Sequence, residues 1–178
     1  MKNFLLLSIT VALAFSNFGC KTSKESNSST TSTNTSSETT LAAKPQLLAS
    51  IQRTACYGQC PMYKATFMDN GEVKYVGKRF VEKLGTYSGL ISEEQILEIQ
   101  SKIKEYEYFK LDSLYPTPIS DFPSCITEAR LDGVSKKVID RRNPPANLKA
   151  FEKFLDSLLE DVELTKVSDI TNYDQPLE

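Results

Sequence analysis

The hairpin that decides the fold lies in residues 62–80, which read MYKATFMDNGEVKYVGKRF. Two alternating strands flank the turn signal DNG. A three-residue loop with its glycine in the left-handed region sets Phe67 opposite Val73 and Ala65 opposite Tyr75, so that one face of the hairpin is apolar. A two-residue loop would mix lysines into that face. The pattern therefore favours the three-residue register.

Further elements lie on both sides of this hairpin. Alternation and turn signals predict strands at 47–55, 85–90, 124–131 and 134–141. The last two form a second hairpin on a DG turn, which places Glu128 opposite Lys137. The proline-rich residues 111–123 are expected to be loop, and residues 166–178 a frayed tail.

Two stretches have the apolar spacing of helices. The first runs from Glu93 to about Tyr108 and begins with SEEQ, a capping box. The second is expected to be capped by Asn143, with Pro144 at its first position. Its apolar stripe consists of Leu148, Phe151, Leu155, Leu158 and Val162. The predicted fold class is therefore α+β: an antiparallel sheet of two hairpins plus edge strands, with two helices packed on one face.

The N-terminus has the features of an export signal. A basic start and an apolar run of about a dozen residues are typical of a signal peptide, here residues 1–19. Gly19-Cys20 after that run resembles the lipobox of bacterial lipoproteins, although Asn17 and Phe18 stand where aliphatic and small residues are usual. The alternative is an ordinary signal peptide cut nearby, which leaves Cys20 as a plain thiol. Lys21 is not the aspartate that retains lipoproteins in the inner membrane, so this resemblance favours the outer membrane of the cell envelope.

Residues 20–45 would then be a lipidated cysteine followed by a disordered stalk, because this segment is rich in serine and threonine and has few side chains to pack. The predicted partner there is membrane lipid, bound through the acyl chains on Cys20. Residues 46–165 are left for a single α+β domain.

Composition excludes several functions. The chain has 178 residues, a net charge of -2 and no histidine. Without histidine, Ser-His-Asp catalysis and His-ligated zinc are excluded. Without a basic stripe, nucleic acid is not an expected partner. The sequence indicates no cofactor and no catalytic residue.

The string RTACYGQCPMY at residues 53–63 is similar to the start of an uncharacterised bacterial family, domain of unknown function 6438. That family has the pattern R-x-x-C-[FY]-G-x-C-P-x-Y, and the resemblance extends over about residues 51–159. It implies an exported domain and no known activity. Cys125 stands where the family more often has threonine or another small residue.

Three roles are open for Cys56 and Cys60. In an oxidising compartment they can close a small ring that clamps the turn between two strands and holds Tyr57 outward. They could instead be a redox dithiol, with Arg53 and Lys64 near in sequence to lower a thiolate pKa.

The third reading is zinc held by both cysteines with Cys125 and Asp121. Cys125 itself is expected to be a buried free thiol, or else to bridge to one of the pair.

The sequence therefore predicts a membrane-anchored envelope lipoprotein with a non-enzymatic binding or structural domain, possible envelope protein partners, and candidate ligand-binding residues Tyr57, Arg53 and Asp121. The alternative is an extracytoplasmic thiol-redox or metal-binding protein that uses Cys56 and Cys60.

Overall fold

The structure, a computed structural model, describes residues 44–169. The predicted signal peptide, Cys20 and the stalk up to residue 43 lie outside the described residues, as do residues 170–178. In the part of the chain that is described, no helix is long and apolar enough to cross a membrane.

One mixed sheet of eight strands forms the centre of the domain, in the order β5-β7-β6-β1-β2-β3-β4-β8. Its strands are β1 Leu47–Arg53, β2 Met62–Met68, β3 Glu72–Arg79, β4 Gly85–Leu90, β5 Leu114–Tyr115, β6 Cys125–Leu131, β7 Val134–Asp140 and β8 Thr165–Ser168. All neighbouring pairs are antiparallel except β5 and β7, which are parallel. The α+β class is confirmed, and the sheet is larger than two hairpins with edge strands.

The register predicted for the β2–β3 hairpin is confirmed, because Phe67 lies opposite Val73 and Ala65 opposite Tyr75. All four side chains are buried. Gly71 has a φ of 88°, as the three-residue loop requires. In the β6–β7 hairpin Glu128 pairs with Lys137, also as predicted.

The first helix, α1, runs over Glu93–Glu105. Its predicted capping box is present: Gln95 N donates to Ser92 Oγ, and Ser92 N donates to Gln95 Oε1. The predicted end at Tyr108 is wrong, because Glu107 adopts a left-handed φ of 49° and Tyr108 begins a separate 3-10 turn. The turn lets the Tyr108 side chain enter the core, where its hydroxyl bonds the hydroxyl of Thr127.

The second helix, α2, runs over Ala146–Glu160. The predicted start is wrong: Pro145 is the N-cap, no side chain caps the helix, and Asn143 has a left-handed φ of 52°. Pro144 cannot occupy a first helical position here because the residue before a proline is sterically pushed out of the α region. The predicted apolar stripe is confirmed, since all five of its members are buried.

Two further expectations are corrected. Residues 166–168 were expected to begin a frayed tail. They belong instead to β8, which pairs with β4 and extends the sheet beyond the predicted domain end at 165. A glycine on β4 allows this close approach: a Cβ at Gly85 would lie 2.6 Å from the backbone oxygen of Ser168. The expected loop 111–123 contains β5, because Ile139 N donates to Ser113 O and Arg141 N donates to Tyr115 O.

Candidate functional site

The loop of residues 54–61, here named the cysteine loop, connects β1 to β2. Within it the Sγ atoms of Cys56 and Cys60 lie at bonding distance, and the two Cα atoms are 5.7 Å apart, inside the range of disulfides. Gly58 N donates to Cys56 O at 2.8 Å. The ring holds Tyr57 outward, and this residue is 94% exposed.

Directly below the cysteine loop, four residues form a row across neighbouring strands. Tyr63 on β2 pairs with Arg53 on β1, Arg53 pairs with Cys125 on β6, and Cys125 pairs with Asp140 on β7. Residues in register on adjacent strands point to the same face of a sheet. The row therefore presents a phenol, a guanidinium, a thiol and a carboxylate side by side.

Helix α2 supplies the opposite side of this row with Lys149, Glu152 and Asp156. Their spacing of three and four residues places them on one helix face. Lys149 Nζ lies 2.5 Å from Asp140 Oδ2 and 2.9 Å from Glu152 Oε2. We name these three residues and the row together the polar layer.

Asp156 joins the other end of the row. Its Oδ2 accepts from the Arg53 guanidinium at 2.5 Å, and its Oδ1 accepts from the Tyr63 hydroxyl. Because the two ends of the row are held by different residues of α2, the helix is tied to β2, β1 and β7 at one level.

Burial makes two carboxylates in the polar layer unusual. Asp140 is 4% exposed and Glu152 is 1% exposed. Lys149 bonds only one oxygen of each, and Asp140 Oδ1 and Glu152 Oε1 are buried without a hydrogen-bond partner. Buried polar atoms in native proteins are usually paired, so these two oxygens need an explanation.

The protonation chemistry follows from this burial. Burial raises the pKa of Glu152, and the charge of Asp140 adds to the shift, while Lys149 opposes it. Burial also raises the pKa of the Cys125 thiol well above its usual range. For Tyr63, burial raises the pKa first and the hydrogen bond to Asp156 second. Cys125 and Tyr63 therefore stay protonated at neutral pH.

A cavity of about 320 Å³ lies between the cysteine loop and the polar layer. Its lining residues are Arg53, Thr54, Cys60, Pro61, Phe122, Pro123, Ser124, Cys125, Asp140, Arg141 and Lys149. The cysteine loop forms one wall and residues 122–124 form the other. These walls are joined, because Thr54 N donates to Ser124 O at 3.0 Å and Ser124 N donates to Thr54 Oγ1 at 2.8 Å.

A second concavity, of about 980 Å³, is a wide groove over β2, β3, β4 and β8. Its lining includes Met68, Lys74, Leu90 and Val167. The buried unpaired side-chain atoms of the described residues belong to Asp140, Arg141 and Glu152, all outside this groove. The smaller cavity is therefore the better candidate site.

The structure brings some of the sequence-predicted residues together and leaves others apart. Arg53 and Cys60 line the cavity, while Tyr57 projects from the cysteine loop above it. Asp121 is exposed, one residue before the segment that forms the second wall. Cys125 is a buried free thiol, as expected.

Sequence reasoning missed Asp140 and the three polar residues of α2. The sequence did contain a signal for the three helix residues. Each of them directly follows a member of the buried apolar stripe, as Lys149, Glu152 and Asp156 do. Asp140 likewise lies two residues after the buried Val138, on the same face of its strand. Charged side chains so close to a buried face indicate a buried polar contact.

The structure does not support the zinc site considered above. Within residues 44–169, no group of three or more His, Cys, Asp and Glu side chains is placed to hold a metal ion.

Comparison with known proteins gives one match. The model of a domain of unknown function, DUF6438, matches residues 48–159, more than half of the chain. The chain belongs to this family. No curated protein and no solved structure matches it. The matched range includes every residue of the polar layer and of the cysteine loop.

The cysteine pair generates one stability prediction. The double variant C56A/C60A should unfold about 2 kcal/mol more easily than the wild type, since a ring with a sequence separation of 4 removes only a little entropy from the unfolded chain. Urea unfolding of the chain from residue 20 onward, with Cys20→Ala for solubility, measures this difference. Reductant should abolish it, and a difference that persists in reductant would show that the pair acts through something other than a bond.

Glu152 generates a pH prediction. Because its folded pKa lies above that of the unfolded chain, its protonated form favours folding. Its contribution to stability is therefore full below the unfolded pKa, about 4.3, and is lost as pH rises through the folded pKa. The free energy of unfolding of wild type minus E152Q should fall across that window and then level off. Denaturant unfolding from pH 4 to pH 8 measures this, with E160Q, exposed at the end of α2, as the matched control. A flat difference for E152Q would contradict the prediction.

Proposed function

We propose that this protein is a lipid-anchored lipoprotein of the cell envelope whose domain is a non-catalytic binding module, and that the domain binds through the cavity below the cysteine loop. The observation that carries the binding proposal is the convergence of Arg53, Cys60 and Pro61, all from the string RTACYGQCPMY, on one cavity.

Binding is favoured over catalysis by the chemistry of the lining. The Cys125 thiol is kept protonated by burial, so it is a poor nucleophile. The Thr54 hydroxyl already accepts a hydrogen bond from Ser124 N. The whole sequence has no histidine to serve as a general base. The cavity therefore offers hydrogen-bonding groups in fixed positions and no activated group.

The proposal assigns Cys56 and Cys60 a structural role. A closed ring keeps the cysteine loop in one conformation, which lowers the entropy lost when a ligand is bound against it. Tyr57 at the tip of the loop has the exposed aromatic surface that contact residues often supply. The loop would thus act as a rigid rim of the binding site.

The anchor is supported by the apolar run before Cys20 and by the Ser/Thr-rich segment after it. Two or more acyl chains hold a protein stably to a bilayer, since each buried methylene contributes about 0.8 kcal/mol.

Lipidation can be tested on Cys20. Cells grown with an alkyne-labelled fatty acid should yield a labelled wild-type protein in the membrane fraction, and an unlabelled one when Cys20 is replaced by alanine. Mass spectrometry of the N-terminal peptide should find the acyl chains on residue 20. C125A is the control, because a buried thiol in the domain should not affect labelling. Equal labelling of C20A would disprove the anchor.

Binding at the cysteine loop can be tested by photocrosslinking in native cells. A benzoylphenylalanine that replaces Tyr57 in the full chain should form a covalent adduct on irradiation, detected as a mass increase of the protein. The same probe at Val134, which is 52% exposed in the hairpin at the far end of β6 from the cavity, is the matched control. An adduct at both positions, or at neither, would argue against a binding role for the loop.

A further inference from the structure

One end of the sheet carries every exposed aromatic residue found among residues 44–169. Strands β1 and β3 end there, and β2, β4 and β6 begin there. Three loops cross this end, and we name them together the loop end: residues 54–61, 80–84 and 116–124. Each of these loops contains one exposed aromatic residue. In chain order they are Tyr57, Phe80 and Phe122, which are 94%, 49% and 38% exposed.

The three loops follow one another along the edge of the sheet. Residues 116–124 lead into β6, the cysteine loop joins β1 to β2, and residues 80–84 join β3 to β4. The strands concerned are neighbours in the order β6-β1-β2-β3-β4. Because adjacent strands are about 4.8 Å apart, the first and third loops are separated by about 20 Å. Exposed side chains spread over that distance match a broad surface better than a single small molecule.

The backbone of Phe80 has a conformation that phenylalanine rarely adopts. Its φ is 54°, in the left-handed region. This region is sterically unfavourable for a bulky residue, and glycine or asparagine is more usual there. Half of Phe80 is nevertheless exposed, so burial in the core does not explain why an aromatic residue occupies this position. Backbone strain of this kind is concentrated at functional sites.

Cations accompany the exposed apolar side chains. The Arg79 guanidinium lies over the Phe80 ring, 5.6 Å from the ring centroid, and Lys83 directly precedes the exposed Leu84. Arg142, two residues after the end of β7, is exposed at the same end of the sheet. None of these three cations forms an ion pair with another residue of the described chain. Their charges are therefore available to a partner.

The balance of charge at this end is opposite to that of the whole chain. Residues 79–84, 54–61, 116–124 and 141–142 contain four cations and two acids, the acids being Glu82 and Asp121. Asp169, which follows β8 at the same end, is paired with Lys166. The loop end and its neighbouring arginines thus have a net charge of +2, in a chain whose net charge is -2. An anionic partner fits this end of the domain.

The chain enters the domain at the other end of the sheet, where β1 begins. The hairpin turns at that end expose the acids Asp69 and Asp132, so the charge of the domain is polarised along its strands. β1 has seven residues and spans about 23 Å. Residues 21–46 can span up to about 85 Å by covalent geometry. The connection from an acylated Cys20 is therefore long enough for the loop end to reach the same membrane.

A bilayer with anionic head groups fits these features better than a protein partner does. Aromatic and large aliphatic side chains enter the boundary between head groups and acyl chains, and Lys and Arg are attracted to anionic lipids. A bilayer surface can meet all three loops at once without matching their shape. A protein partner would need a complementary surface about 20 Å wide.

We propose that the loop end is a membrane-contact surface. Its three exposed aromatic side chains enter the head-group region of an anionic bilayer, and the neighbouring cations bind lipid phosphates. This contact goes beyond binding in the cavity, and it rests on the proposed function only in that the acyl anchor brings the membrane close. The cysteine ring then serves to hold Tyr57 toward the bilayer.

Vesicle binding tests the proposal. The chain from residue 20 onward with Cys20→Ala is used, so that no acyl chain contributes. The protein should float with vesicles of phosphatidylglycerol and phosphatidylethanolamine, and it should not float with vesicles of phosphatidylcholine. Binding should weaken as salt is raised to about 0.5 M, because salt screens the contacts with the head groups.

Two variants test the aromatic side chains. Y57S and F80N should each weaken vesicle binding about fivefold, since each removes apolar surface that the bilayer would cover. Neither should lower the melting temperature, because Tyr57 is almost fully exposed and asparagine tolerates the left-handed φ of position 80. L90N is the matched control, since Leu90 is 72% exposed and lies at the other end of β4.

A double variant tests the cations. R79Q/K83Q should weaken binding to the anionic vesicles about tenfold or more, because each basic residue near an anionic surface contributes separately. K104Q/K153Q is the matched control, as both of these lysines are exposed on the helices. Absence of binding to the anionic vesicles would overturn the proposal and favour an acidic protein as the partner. Equal weakening by the loop variants and their controls would also overturn it.

Failure here is distinguishable from failure of the proposed function. If the vesicles are not bound and the adduct at position 57 still forms in cells, the membrane contact fails and the binding function stands. If the vesicles are bound and C20A is still labelled by the fatty acid, the anchor on Cys20 fails and the membrane contact stands.

Discussion

The ion pairs between α2 and the sheet are the contact on which the site depends. Asp156 holds Arg53 at one end of the polar layer, and Lys149 holds Asp140 at the other. Asp140 is buried, so removal of Lys149 would leave its charge without a partner in the interior. The geometry of the cavity floor is therefore defined by contacts that tolerate little displacement, although the apolar core provides most of the driving force for folding.

This constraint also explains why the cysteine loop lies where it does. Arg53 is the last residue of β1, and Tyr63 is the second residue of β2. Asp156 binds both residues, so the two ends of the cysteine loop are fixed independently of the Cys56–Cys60 ring. The ring then restricts the middle of the loop. The result is a cysteine loop fixed at both ends and in its middle, directly above the polar layer.

The elements that could be predicted from sequence are those specified by local chemistry. The DNG turn and the alternation around it select the β2–β3 register, and SEEQ selects the start of α1. The start of α2 was missed because Pro145 overrides the capping preference of Asn143. Strand β8 was missed because its stability comes from pairing with β4, where Gly85 admits its backbone. Such contacts between distant segments leave no periodic signal in either one.

By itself the sequence determined the α+β class, the family, the cysteine pair and the composition that excludes histidine chemistry. The tertiary structure alone decided that Asp140, separated by many residues from Arg53, shares a row with it and faces α2. The physical reason is that burial and pairing are properties of the assembled layers: a carboxylate at the end of a strand is ordinary in the sequence, and it becomes an unsatisfied acceptor only when a helix excludes water from it and supplies a single cation.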